Sequence, residues 1–183
     1  MPVLPLVRIG NPVLRNPCRE VELQKIQMGD YGSFIQDMIE AMRDAEGVGL
    51  AANQVGRDLK IIVLECKLNP RYPEEKSIPL AVYFNPKIIS SSKETVKAWE
   101  GCLSIPGYRG AVSRYEKIIF EAVTPDGKKV REEVQGFHAR IIQHEVDHIE
   151  GRVYMDRMNG VMEWMHLEEF NRQMQQDIPE KES

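Results

Sequence analysis

The stretch from Ala139 to Ile149 reads as a helix dominated by apolar side chains, among them Ile141, Ile142, Val146 and Ile149. It also carries Gln143-His144-Glu145-Val146-Asp147-His148, and Gly151 follows as a stop. At about 100° per residue, His148 lies about 40° from His144, and Glu145 about 100° from it. The two imidazoles and the carboxylate therefore project from one side of one buried helix. Burying such groups without partners is costly, so a fold for this chain has to give them work. Two imidazoles one turn apart can bind a single metal ion, and a carboxylate beside them can reach metal-bound water without being a ligand. The metal lowers the water's pKa towards neutrality and the carboxylate moves the proton.

A catalytic metal of this kind usually has three protein ligands and one open position. The residues offer two candidates for the third. Glu168 stands twenty residues after His148, a spacing seen in zinc peptidases, although it shares a polar helix face with Glu169 and Arg172. Cys102 lies in Glu100-Gly-Cys-Leu-Ser-Ile-Pro-Gly107, a turn-rich setting, and a thiolate is a good soft ligand.

Composition narrows the rest. The chain has 183 residues, 42 % of them hydrophobic, enough for a globular core. With a net charge of -4 it lacks the basic footprint of a nucleic-acid binder, and no apolar run is long enough for a membrane helix. Three cysteines do not suggest a disulfide scaffold. The first eight residues do not resemble a secretory or transit signal. A soluble cytoplasmic protein is expected, with Cys18, Cys66 and Cys102 as thiols or metal ligands.

The pattern predicts one domain over 1–183, with a C-terminal helix and polar tail from about 160. Apolar residues at three- and four-residue spacing predict a helix over Ser33–Ala45, capped by Asp30 or Ser33. Gly47-Val-Gly-Leu-Ala-Ala-Asn-Gln54 reads as tight, non-helical backbone that something must approach closely. Strands are expected over Lys60–Glu65 and Leu80–Phe84, the latter stopped by Asn85-Pro86, with a short third over Lys87–Ser91. Lys117–Val123 and Lys129–Val134 should pair around Pro125-Asp126-Gly127. A last amphipathic helix is expected from Val161 to about Gln176. The class is α+β, with short, mostly antiparallel strands.

Three segments occur in order: Gly47-Val-Gly-Leu-Ala-Ala-Asn-Gln54, Glu100-Gly-Cys-Leu-Ser104 and Gln143-His-Glu-Val-Asp-His148. Together they resemble the peptide deformylase family over about residues 5–158. That resemblance favours Cys102 over Glu168. It implies a deformylase-like fold of short strands around a central metal-binding helix. The implied reaction is removal of the N-formyl group from the formyl-methionine of nascent chains, with release of formate. In it, metal-bound water attacks the formyl carbon.

By the same resemblance, Cys102, His144 and His148 hold the metal and Glu145 is the general acid and base. The amide of Gln54 and the backbone N–H of Leu103 stabilise charge on the formyl oxygen. Val48, Gly49 and Gly101 bind extended substrate, and Val48, Phe137 and Ile141 line the methionine pocket. Arg140 stands where an apolar residue is expected. Glu100 with Arg114 would brace the Cys102 loop, and Asp147 would hold another basic group. One divalent ion per chain is implied, Fe²⁺ in the cell, with Zn²⁺, Ni²⁺ or Co²⁺ able to substitute. A thiolate beside iron predicts oxygen-sensitive activity.

The partners implied are N-formyl-methionyl peptides and, transiently, the ribosome, with no direct nucleic-acid or membrane contact. The basic C-terminal helix of some relatives is missing, because residues 168–183 hold five acids and two bases. The place implied is a bacterial cytoplasm, with an organelle as the other option. Lys67–Pro79 reads as a long loop, with Arg71-Tyr72 as surface decoration rather than a lid. Two rival readings remain: a zinc peptidase using His144, His148 and Glu168, and an inactive relative that binds modified chain ends.

Overall fold

The structure, a computed structural model, describes residues 3–67 and 77–176. Most of the loop expected over Lys67–Pro79, with Arg71-Tyr72, lies outside the described residues, as does the tail from Asp177. The described chain runs α1 (Leu23–Gln27), α2 (Gly32–Asp44), β1 (Gly49–Ala51), β2 (Ile61–Cys66), β3 (Ile78–Ser91), β4 (Thr95–Cys102) and β5 (Ile105–Tyr115). It continues through β6 (Lys117–Val123), β7 (Lys129–Gln135), α3 (Gly136–Ile149), β8 (Trp164–His166) and α4 (Leu167–Gln176). Five strands form one sheet in the order β1-β2-β3-β6-β7, and β4-β5-β8 form a second. Every ladder in both sheets is antiparallel. The expected α+β class holds.

β2 explains how the first sheet is covered on both faces. Its residues alternate between two apolar clusters. Ile62, Leu64 and Cys66 pack with Ala139, Ile142, Val146 and Ile149 of α3. Ile61 and Val63 face Ile35, Met38, Ile39 and Met42, the spaced apolar stripe of α2. Each of the Val, Leu, Ile and Met side chains among them contributes about 1.5–3 kcal/mol by leaving water. A helix on either side makes β2 apolar from Ile61 to Leu64 rather than alternating, with the ion-paired Glu65 as the exception.

Several expectations hold. β6 and β7 pair in full register from Lys117↔Gln135 to Val123↔Lys129, and Gly127 in their turn takes φ +77°. Gly151 ends α3 at φ +78°, donating to His148 O. A Cβ there would stand 2.7 Å from Arg15 O, so the site excludes larger residues twice over.

Other expectations are corrected. The helix over 33–45 starts one residue earlier, and its N-cap is Tyr31, with no side-chain cap from Asp30 or Ser33. Asn85-Pro86 does not end a strand, and β3 runs through it as one element of 14 residues. Asn85 takes φ +50°, and its amide both accepts from Val21 N and donates to Val21 O, each at 2.8 Å. The sheet register shifts there, so the N–H that Pro86 lacks falls in an irregularity. The helix expected from Val161 begins only at Leu167, because Trp164–His166 pairs with β5 instead. The long β4–β5 hairpin was not anticipated.

Candidate metal centre

The hairpin and α3 bring the chemistry together. β4 ends at Cys102, and Leu103-Ser104 turns the chain so that Cys102 pairs with Ile105. Cys102 Sγ lies 3.1 Å from His148 Nε2. Ligand atoms of Cys102, His144 and His148 all fall within 4.8 Å of one another. One thiolate and two imidazoles at this spacing fit a single transition-metal cation.

His144 Nδ1 is 2.9 Å from Glu100 Oε2. A carboxylate only accepts, so Nδ1 carries the proton and Nε2 is left for the site. Glu100 is held in turn. Arg114 reaches it through Nε at 2.9 Å and Nη2 at 3.0 Å, and Arg140 Nη1 at 2.7 Å. Burial pushes the Glu100 carboxyl up, but Arg114 and His144 outweigh it and hold it far below the usual range. Arg114 also donates from Nη1 to Asp147 Oδ2 at 2.5 Å, and Asp147 takes Arg157 as well. The expected Glu100–Arg114 brace and the basic partner of Asp147 are thus one buried network.

The thiol of Cys102 is shifted the same way. Burial alone would raise it, yet His148 and His144 bring it down to about 5. Its Sγ also accepts from Gln54 Nε2 at 3.5 Å and Ser104 N at 3.4 Å. Gln54 is oriented by its other end, where Oε1 accepts from Ala51 N at 2.8 Å.

Glu145 is buried, and its Oε2 has no hydrogen-bond partner among the described residues. Burial pushes its carboxyl up to about 7. It fills the space that Gly49 leaves, since a Cβ on Gly49 would stand 2.9 Å from Glu145 Cδ. That is the close approach the glycine-rich segment implied. Gly47 and Gly101 leave room likewise, for Leu103 Cδ1 and Arg109 Nη1, each 2.7 Å from an added Cβ.

A pocket opens onto these groups. Cys102, His144, Glu145, Gln54 and Leu103 line it, and so do Val48, Gly49, Gly101, Phe137 and Ile141. His148 is fully buried behind them. Glu168 is not part of the cluster, because its side chain is 83 % exposed on the first turn of α4. Trp99 and Arg140 also line the pocket. Trp99 was missed, although its place three residues before Cys102 was a usable signal.

A sequence pattern of the polypeptide deformylase family matches residues 3–164. The chain is 39 % identical over 163 residues to peptide deformylase 2 of Pseudomonas putida, covering 89 % of this chain and 87 % of that one. To peptide deformylase 1 of Bordetella pertussis it is also 39 % identical, over 89 % and 92 % of the two chains. Its fold matches the Met-Ala-Ser-bound crystal structure of a class I type b peptide deformylase from Acinetobacter baumannii. That match has a TM-score of 0.83 and 35 % identity, over 85 % of this chain and 98 % of the other.

Proposed function

The chain belongs to the peptide deformylase family and is a hydrolase, and from that premise we infer that it removes the formyl group from peptides beginning with formyl-methionine. Formate and a free α-amine are the products. One observation carries this reading. Three soft-to-borderline donors converge within 4.8 Å beside an unpartnered, buried carboxylate, at the wall of an open pocket.

The family is metal-dependent, and the donor set of Cys102, His144 and His148 would hold one divalent cation. Our reading is Fe²⁺ in the cell, with Zn²⁺, Ni²⁺ or Co²⁺ able to take its place. When bound, the cation supplies Lewis acidity to the formyl oxygen and to the attacking water. Glu145 takes a proton from that water and later delivers it to the leaving amine; a carboxyl near neutrality suits both roles. Gln54 Nε2 and the backbone N–H of Leu103 donate to the oxygen where charge develops. Glu100 keeps His144 in one tautomer throughout.

Among the described residues β1 is an edge strand, with β2 on one side only. Its free edge beside Val48 and Gly49, with Gly101 opposite, suits an extended peptide added as one more strand. Phe137, Ile141 and Val48 then receive the methionine side chain. Their apolar surface rewards a flexible, unbranched thioether. Met-Ala-Ser, the peptide bound in the Acinetobacter baumannii structure, has the sequence of such a product. The bacterial relatives support a bacterial cytoplasm as the setting. Any ribosome contact is transient and does not use α4, whose described face carries Glu168 and Glu169 against Arg172.

The test is formate release from formyl-Met-Ala-Ser by anaerobically purified protein, with metal content read on the same sample. Rapid release with about one metal per chain supports the reading. Full metal occupancy without formate overturns it.

A further inference from the structure

The pocket that receives the first side chain has a second cavity behind it. Trp99, Phe137 and Arg140 line both. Val96, Ala98 and Tyr115 line only the second. Phe137 and Arg140 sit three residues apart on α3, so they share one face of that helix.

Arg140 is 8 % exposed, and three acceptors pin its guanidinium. Nη1 donates to Glu100 Oε1 at 2.7 Å and to Val112 O at 3.0 Å. Nη2 donates to Val96 O at 2.6 Å. The two carbonyls belong to the two strands of the β4–β5 hairpin, so the side chain is a strut from α3 to that hairpin. An arginine beside an apolar pocket is costly unless its donors are matched, and here they are matched by atoms that cannot move far. The strut is therefore a fixed partition.

We propose that Arg140 determines the length of first side chain that the pocket accepts. With Phe137 and Trp99 it closes the pocket against the cavity behind, admitting a linear chain of methionine length and stopping longer ones. The inference rests on the deformylase reading and goes beyond it. Arg140 is a specificity-determining residue, not a source of chemistry.

Arg140→Ala removes the partition. Formylated tripeptides are compared in which the first residue is methionine or an unbranched thioether two or three atoms longer, such as S-propylhomocysteine. The kcat/KM ratio of the longer substrate to the methionine one should rise at least about tenfold in the variant. Arg140→Lys, which keeps a long stem and a donor, should stay near the wild-type ratio. Ala98→Leu, filling the second cavity in the Arg140→Ala background, should bring the ratio back.

Calorimetric affinities of the matching unformylated peptides should shift in the same direction. That readout separates the two readings. If wild-type protein releases no formate but Arg140→Ala still gains affinity for the longer peptide, the reaction is wrong and the partition stands. Should Arg140→Ala fail to fold, Phe137→Ala breaches the same wall. An unchanged ratio and unchanged relative affinities in whichever of these variants fold would overturn the proposal.

Discussion

Glu145 occupies the space in which any side chain on Gly49 would begin, with Glu145 Cδ 2.9 Å from an ideal Cβ there. The glycine is thus a condition for the position of the carboxylate. Gly49→Ala should leave the melting temperature within a few degrees and cut kcat/KM by about 10²-fold or more, because a shift of about 1 Å in a catalytic group has that effect. Steady-state formate release beside thermal melts checks it. Near-normal activity would show that Glu145 does not work from this position.

The donor cluster makes opposite predictions for two residues once weighed as the third ligand. Cys102→Ala should lose both bound metal and formate release. Glu168→Ala, altering a side chain 83 % exposed, should change neither beyond about twofold, as surface substitutions usually behave. Metal analysis with rate measurement on both variants decides, and the reverse pattern would restore the peptidase reading.

Base and ligand roles separate in Glu145→Gln. The amide keeps the shape but cannot accept a proton, so metal content should stay near one per chain while kcat falls by about 10²–10⁴-fold. Loss of metal from this variant would assign Glu145 a ligand role instead.

Stability at low pH should depend on Glu65. Its buried carboxylate lies 2.7 Å from Arg43 and 2.9 Å from Lys67. The hydrogen bond from Arg43 is the main cause that lowers its pKa below the ordinary value. A lowered folded pKa means that stability is fully present above the unfolded pKa of about 4.3 and lost as pH falls through the folded value. Wild type should exceed Glu65→Gln by about 1 kcal/mol or less near pH 7, since both cations are half-exposed or more. The gap should narrow below about pH 4. Denaturant melts at several pH values measure it, and a gap that widened on acidification would contradict the sign.

Air should inactivate the iron-loaded enzyme faster than the zinc-loaded one, because a thiolate beside redox-active iron is open to oxidation. Equal half-lives in air would remove oxidation at Cys102 from the account. Intact-mass measurement of that residue identifies the product.

The candidate metal centre was legible because its parts are chemically rare and locally spaced. His144, Glu145 and His148 sit on one helix, where periodicity alone sets their directions. Cys102 was harder, since nothing between residues 102 and 144 in sequence says that a hairpin and a helix meet. The residues themselves kept Glu168 as an alternative, although its polar helix face counted against it, and the three-segment resemblance settled the choice for Cys102. β4 escaped notice because its alternation is weak. Lys97 and Glu100 interrupt the apolar residues, and Glu100 is buried only because Arg114, Arg140 and His144 await it. Asn85-Pro86 looked like a stop by local rules, and the side-chain bonds of Asn85 to Val21 overrode them. Trp164–His166 reads as helix by sequence for a related reason. Pairing with β5, a contact distant in sequence, decided its form.

The β4–β5 hairpin leaves the five-stranded sheet after Ser91 and rejoins it at Lys117. The chain ends flanking that excursion touch, with Ser92 N donating to Lys117 O at 2.9 Å. A chain whose branch points already meet can lose or exchange what lies between them at little cost in loop closure. The thiolate, the carboxylate that orients His144 and the arginine that holds it all travel on that one detachable segment. Heritable change can therefore retune or abolish the proposed metal chemistry by exchanging a cassette of about 25 residues for another that still pairs Asp147 and Arg140 of α3, while the strand order β1-β2-β3-β6-β7 does not pass through it.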